Sequence, residues 1–308
     1  MTKLPNMSRP NRAWLCAVAM GFAPIFFACT GPIPMGSGQT GGSGSGSDTD
    51  STTSRGTGGA IISQPPPLGG GAGGTSGTGT GTTCDNKILV VFRDFRCADD
   101  TTGSKHPDFE PGYPPTVSVL DDHGIVQATL GTDQKPVYAN GDSPSPSKTV
   151  QSQSTFNQWY RDTDGVNQRI ESSLTLTQSA TDPGLKNFDS TAFFPIDGQG
   201  WGNQACLGQA RSHNYSFTTE IHTTFTYKGG ETFKFTGDDD VFAFVNNKQV
   251  IDLGGVHVAE SKNVVMDSLG LTLGQTYPMD IFHAERHVTQ SNFHMETRFD
   301  CLTSIIIP

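Results

Sequence analysis

Three consecutive aspartates, Asp238 to Asp240, stand between two strand-like stretches and constrain what the chain around them can fold into. Before them, Phe233 and Phe235 alternate with polar neighbours, the period of a strand with one buried face. After them come two apolar runs, Val241 to Val245 and Gln249 to Leu253, joined by Asn246-Asn247-Lys248. Asparagine tolerates positive φ, so this joint reads as a tight β-hairpin. Three adjacent carboxylates repel one another and gain nothing from burial. The corner requires either a cationic partner or full solvation.

The same period recurs along the chain. Lys87 to Arg93 is a β-rich run and the expected first strand. Ile170, Ser172, Leu174 and Leu176 alternate, as do Phe217, Thr219, Ile221, Thr223, Phe225 and Tyr227. Phe293, Met295, Thr297 and Phe299 mark the last long strand. A single helix signal places Phe156, Trp159 and Tyr160 on one face behind the caps Ser154 and Thr155. Many short strands set apart by Gly, Pro, Asn and Asp predict an all-β sandwich or barrel.

That domain is expected over residues 84–308. Residues 1–29 combine a basic start with an apolar run that Pro24 interrupts, too short to span a bilayer as a helix. They read as an export signal, and Phe26-Phe27-Ala28-Cys29 looks like a lipoprotein cleavage site with Cys29 as the acylated first residue. Residues 30–83 are rich in Gly, Ser, Thr and Pro without apolar periodicity, which predicts a disordered tether. The expected address is the cell surface or the extracellular space, with a membrane contact only through the lipid.

Composition narrows the partners. A net charge of -10 argues against nucleic acid or anionic lipid as the main partner. The six cysteines include no CxxC pair, so disulfides in an oxidising compartment are favoured over structural zinc. Cys84 opens the first strand and Cys301 ends the last, while Cys97 and Cys206 fall in loops. Chain ends often lie side by side in compact domains, so the expected pairs are Cys84–Cys301 and Cys97–Cys206.

The run FTGDDDVFAFVNNKQVIDLGGVH, followed by FHAERHVTQSNFHMET, resembles the fibro-slime domain family. VVFRDF, HPDFE, KPVY, FNQWYRDTDGVN, FFPIDGQGWGN and HNYSFTTEIHTTFTY follow its pattern in order, so the resemblance covers Lys87 to Phe299. That family is related to the protective-antigen-type β-barrel module of toxins, yeast flocculins and some glycosidases. The resemblance implies a β-sandwich with a cis peptide between Asp238 and Asp239, whose carboxylates chelate Ca²⁺. It implies Asn292 and backbone carbonyls of a later loop as the remaining ligands. Oxygen-only carboxylates are the type Ca²⁺ selects. A saccharide would then dock at this corner and the loop from His287 to Asn292.

Other chemistry has less support. His283, Glu285 and His287 share one strand face, but HxExH on a strand is not the helical zinc motif. No carboxylate pair, Ser elbow or phosphate loop is apparent, so no enzyme is expected. Trp159, Tyr160 and Trp201 are either core or sugar-stacking rings. The expectation is a non-catalytic module binding extracellular glycan or matrix through Ca²⁺. Its alternative is a structural matrix component that binds no sugar.

Overall fold

Val241 to Val245 is apolar at every position because both faces of its strand are covered. The computed structural model describes residues 86–110, 120–141, 147–206, 209–288 and 290–305. They belong to one compact unit, Ser76–Pro308. The expected export signal and tether, with Cys29 and Cys84, lie outside the described residues.

In chain order the first strands are β1 (Lys87–Phe95), β2 (Leu120–Asp121), β3 (Asn167–Thr175), β4 (Thr177–Gln178), β5 (Lys186–Ser190), β6 (Phe217–Thr226) and β7 (Thr232–Gly237). Then follow β8 (Asp240–Val245), β9 (Lys248–Leu253), β10 (Gly255–Val256), β11 (Glu260–Val265), β12 (Thr276–Glu285), β13 (Phe293–Thr297) and β14 (Thr303–Ser304). The larger sheet runs β3-β1-β6-β12-β8-β9, with β14 extending the β1 side of β6. The smaller runs β11-β7-β13-β5-β4, and β10 pairs with β2 as a separate ribbon. All pairs are antiparallel. The expected all-β sandwich is the observed architecture.

Two apolar clusters sandwich the larger sheet. On its inner face Val90, Phe92, Ile221, Val241, Ala243 and Ile281 meet Phe233, Phe235, Phe293 and Met295 of the smaller sheet. On its outer face Phe242, Phe244, Phe282 and Ala284 pack under Phe109, Tyr138, Phe156, Trp159 and Tyr160. The described residues between β1 and β3 therefore form a third, mostly irregular layer. Trp159 and Tyr160 are core rings, which removes them as sugar platforms.

The expected helix is shorter and starts earlier. It is α1 (Gln153–Phe156), and its cap is Ser152, whose hydroxyl accepts the Thr155 amide at 3.1 Å while Thr155 Oγ1 accepts the Ser152 amide. One turn has no independent stability, so packing of Phe156 fixes it. The Asn246-Asn247 hairpin forms as expected, with both residues at positive φ. Cys97 and Cys206 are joined as expected. Cys301 is also disulfide-bonded.

The outer face also buries charge. Glu220 accepts from Arg93 and Lys135 and lies 2.5 Å from His222, which reaches Asp280 at 2.7 Å. Burial alone would raise the Glu220 pKa, yet His222, Arg93 and Lys135 hold it down at about 2. A depressed carboxylate contributes stability above its unfolded pKa, and loses it as the pH falls through the folded value. Glu220→Ala is expected to cost about 3–5 kcal/mol at pH 7, since it leaves buried cations without their carboxylate. Urea titrations should also show that difference shrinking as the pH falls from 4.5 towards 2.

Candidate functional site

The corner between β7 and β8 is where the sequence placed its aspartates, and it is not solvated. Asp238, Asp239 and Asp240 are all buried. Their cationic partner is Arg286, the first residue after β12. Its amide donates to Asp239 Oδ2 at 2.8 Å and its Nε to Asp240 Oδ2 at 2.5 Å. Its Nη1 donates to the carbonyls of Asp108 and Thr149 in the outer layer, and its guanidinium lies 4.6 Å from the centre of the Trp159 ring.

Asp238 is held from the other sheet. Asn292, just before β13, donates its amide to Asp238 Oδ1 at 2.6 Å and its Nδ2 to Oδ2 at 2.7 Å. Gly237 permits this approach, because a Cβ there would lie 2.5 Å from the Asn292 carbonyl oxygen. The peptide between Asp238 and Asp239 is cis. Its first carbonyl accepts His283 Nε2 at 2.9 Å.

Behind the aspartates sits Glu285, fully buried, and among the described residues neither of its carboxylate oxygens makes a hydrogen bond of ordinary geometry. Burial first, then the charges of Asp239 and Asp238, push its pKa well above the usual range. Burial also raises Asp239 strongly, against the pull of Arg286. Asp238 is raised for the same reason, less so because Asn292 donates to it twice. Four buried acids thus crowd one corner, where Arg286 bonds to Asp239 and Asp240.

The aspartates open onto a cavity of about 240 Å³. Asp238, Asp239, His257, His287 and Gln290 supply its polar lining, and Val256, Val258 and Val288 its apolar wall. Among the described residues no donor reaches Asp239 Oδ1. Hard carboxylate oxygens in negative surroundings suit a cation with oxygen preference. Asp238 and Asp239 would hold it, with the side-chain carbonyl of Asn292 as a neutral donor.

The structure assembles Asp238, Asp239 and Asn292 at one point and puts His287 in the cavity wall. It splits the HxExH series. His283 points into the inner core among Phe193, Phe217 and Phe293, and burial pushes its pKa down to about 4. His287 lies beyond the end of β12, pairing its Nδ1 with Glu110 at 2.9 Å. Among the described residues, the one trio of His, Cys or acid atoms within 4.8 Å is Cys97, Asp99 and Cys206, whose sulfurs are already bonded to each other. Sequence reasoning missed Arg286 as the partner of the aspartates and Glu110 as the anchor of the loop. Glu110 accepts the Val288 amide at 2.7 Å and is fully buried, but nothing in HPDFE marks a residue that reaches so far along the chain.

Residues 208–306 match the PA14 domain model. The matched stretch runs from before β6 to beyond β14 of the β domain. The chain is 41% identical over 206 residues to protein psiR of Dictyostelium discoideum, covering 64% of this chain and 20% of that one. It is 39% identical over 207 residues to psiC of the same organism, covering 65% and 40%. The chain thus spans at most two fifths of the length of these two relatives. Among solved structures, the PA14 domain of the MpAFP antifreeze protein matches at a TM-score of 0.26 and 9% identity, covering 76% of this chain and 93% of that one. The PA14 sugar-binding domain of an RTX adhesin matches at 0.26 and 11%, covering 61% and 95%. Overlaps this loose say nothing about ligands.

Glu285 gives this site a testable signature. An acid whose folded pKa is raised takes up a proton in the folded state, so stability rises as the pH falls towards its unfolded pKa. In EGTA, the melting temperature is expected to climb as the pH is lowered from 8 towards 5, and to climb less steeply in Glu285→Gln. Equal slopes for the two proteins would remove Glu285 from this account.

Proposed function

We propose that the chain is an extracellular, non-catalytic adhesion module of the fibro-slime kind that takes saccharide hydroxyls at the Asp238-Asp239 corner through Ca²⁺. The observation that carries this reading is the Asp239 carboxylate, buried in negative surroundings with the cavity in front of it and, among the described residues, no donor to Oδ1. A hard cation there would relieve the repulsion, and its open coordination positions would accept sugar hydroxyls in place of water. The PA14-type domain supports the same assignment.

Neutral diols bind such an ion weakly, so useful adhesion would come from many copies on one surface. The Gly/Ser/Thr-rich residues 30–83 provide the reach, and Cys29 the proposed lipid attachment. Intact mass of the exported protein should give a diacylglycerol-bearing Cys29 as its first residue. An unmodified terminus would withdraw the anchor and leave the binding site standing.

Calcium binding to the folded state should raise the melting temperature by mass action, by RT ln(1 + [L]/Kd) in free energy. Thermal scans in Ca²⁺ and in EGTA are expected to separate for the native protein and to superimpose for Asp239→Ala. Calcium-dependent signal on a soluble glycan array should disappear in the same variant while β-rich circular dichroism is retained. Superimposed scans for the native protein would sink the metal site.

A further inference from the structure

Trp201 borders a second cavity, of about 480 Å³, that shares no lining residue with the acidic one. The size lies within the range of small-ligand sites. Its composition is unlike the acidic corner: one large aromatic ring, one guanidinium, two carboxylates and two threonine hydroxyls.

Trp201, Arg96 and Gln204 in this groove are held from behind. The Trp201 amide donates to Asp94 Oδ2 at 2.6 Å, and Asp94 is itself buried and tied through Oδ1 to Asn214 Nδ2 at 2.8 Å. Gly200 precedes the tryptophan at positive φ, and a Cβ there would fall 2.1 Å from Asp94 Oδ2. Only glycine lets the carboxylate reach that amide. Arg96 lies over the indole at 4.8 Å and is fixed by Asp100 Oδ2 and Thr102 Oγ1, each at 2.7 Å. Gln204 is pinned at both ends, accepting from the Cys97 amide and donating to the Phe95 carbonyl, beside the Cys97–Cys206 disulfide.

Trp201 and Asp99 both line the groove, Asp99 with Oδ1 3.3 Å from the Cys97 sulfur. Among the described residues no acceptor reaches the Trp201 indole N–H, and the Asp99 carboxylate is exposed. Arg96 and Asp100 neutralise each other, so the spare charge is one carboxylate. An anionic ligand is disfavoured by that carboxylate, and an aliphatic one by the polar rim. The complementary ligand is neutral, with one apolar face and hydroxyls around its edge.

We propose that this groove binds a pyranose ring of a neutral oligosaccharide, packed against Trp201 and hydrogen-bonded to Asp99 and the indole N–H, without a metal ion. The inference rests on the reading of the chain as a saccharide binder, and makes it a two-site binder with one calcium-dependent and one calcium-independent contact. Such a pair on one rigid domain would engage one polymer twice or two polymers at once.

The test uses calorimetry of the full chain with cellohexaose, laminarihexaose and chitohexaose, in Ca²⁺ and in EGTA. At least one probe is expected to bind in EGTA, and Trp201→Ala to weaken that binding about tenfold or more, the size of a lost aromatic contact. Trp201→Phe should recover part of it, and Asp99→Ala should weaken it with the ring intact. These last two decide the question if Trp201→Ala does not fold. Binding in Ca²⁺ that vanishes in EGTA would overturn the groove while leaving the corner site in place. EGTA-resistant binding untouched by both Trp201→Phe and Asp99→Ala would also overturn it. No binding of any probe in either condition would take down the groove and the saccharide reading together.

Discussion

Arg286 holds the three layers of the domain together. It follows the last residue of β12, takes Asp240 on its guanidinium and Asp239 on its amide, and reaches the carbonyls of Asp108 and Thr149 in the irregular outer layer. Its planar group also covers Trp159, the central ring of the outer core. A buried guanidinium is costly unless its geometry is satisfied on several sides. Here the same bonds that satisfy it fix where the outer layer meets the sheet. The acidic corner is thereby part of the fold's framework as well as a cavity wall.

The remaining acids of the corner do not share that compensation. Asp240 has Arg286 and the Gly255 amide, and Glu110 has His287 and the Val288 amide. Among the described residues, Asp238 accepts from the neutral donors of Asn292, and Glu285 has no hydrogen bond of ordinary geometry. The excess negative charge is concentrated on the cavity side of Arg286. Two responses are physically available, protonation or cation capture, and both act on the same oxygens. Acidity and calcium would therefore compete at this corner.

Much of the scaffold was legible because strand periodicity survives wherever one face is buried. β6, β7 and β13 alternate in the sequence and pack one face on the inner core. β8 does not alternate, because both of its faces are covered. What covers that face was not legible. The described residues among 96–160 form mostly irregular structure around Phe109, Tyr138 and Trp159, and irregular packing leaves no period to read. The helix boundary failed for a related reason, since a single turn has too few residues to display one.

The site divides along the same line. Asp238, Asp239 and Asn292 were legible through resemblance, and the structure brings them together. The charge-bearing partners were not, because no local pattern links Asp240 to Arg286, 46 residues on, or Glu110 to His287, 177 residues on. Nor does a sequence distinguish an aromatic in a core from one at a surface. Trp159 and Trp201 have similar polar neighbourhoods in the chain, yet one is sealed beneath Arg286 and the other stands beside Arg96 at a cavity. In both, a guanidinium lies against the indole. The difference is what lies beyond it: backbone carbonyls of a packed layer at Arg286, and Asp100, Thr102 and open solvent at Arg96. The same contact closes a core where protein covers it, and presents a ring where nothing does.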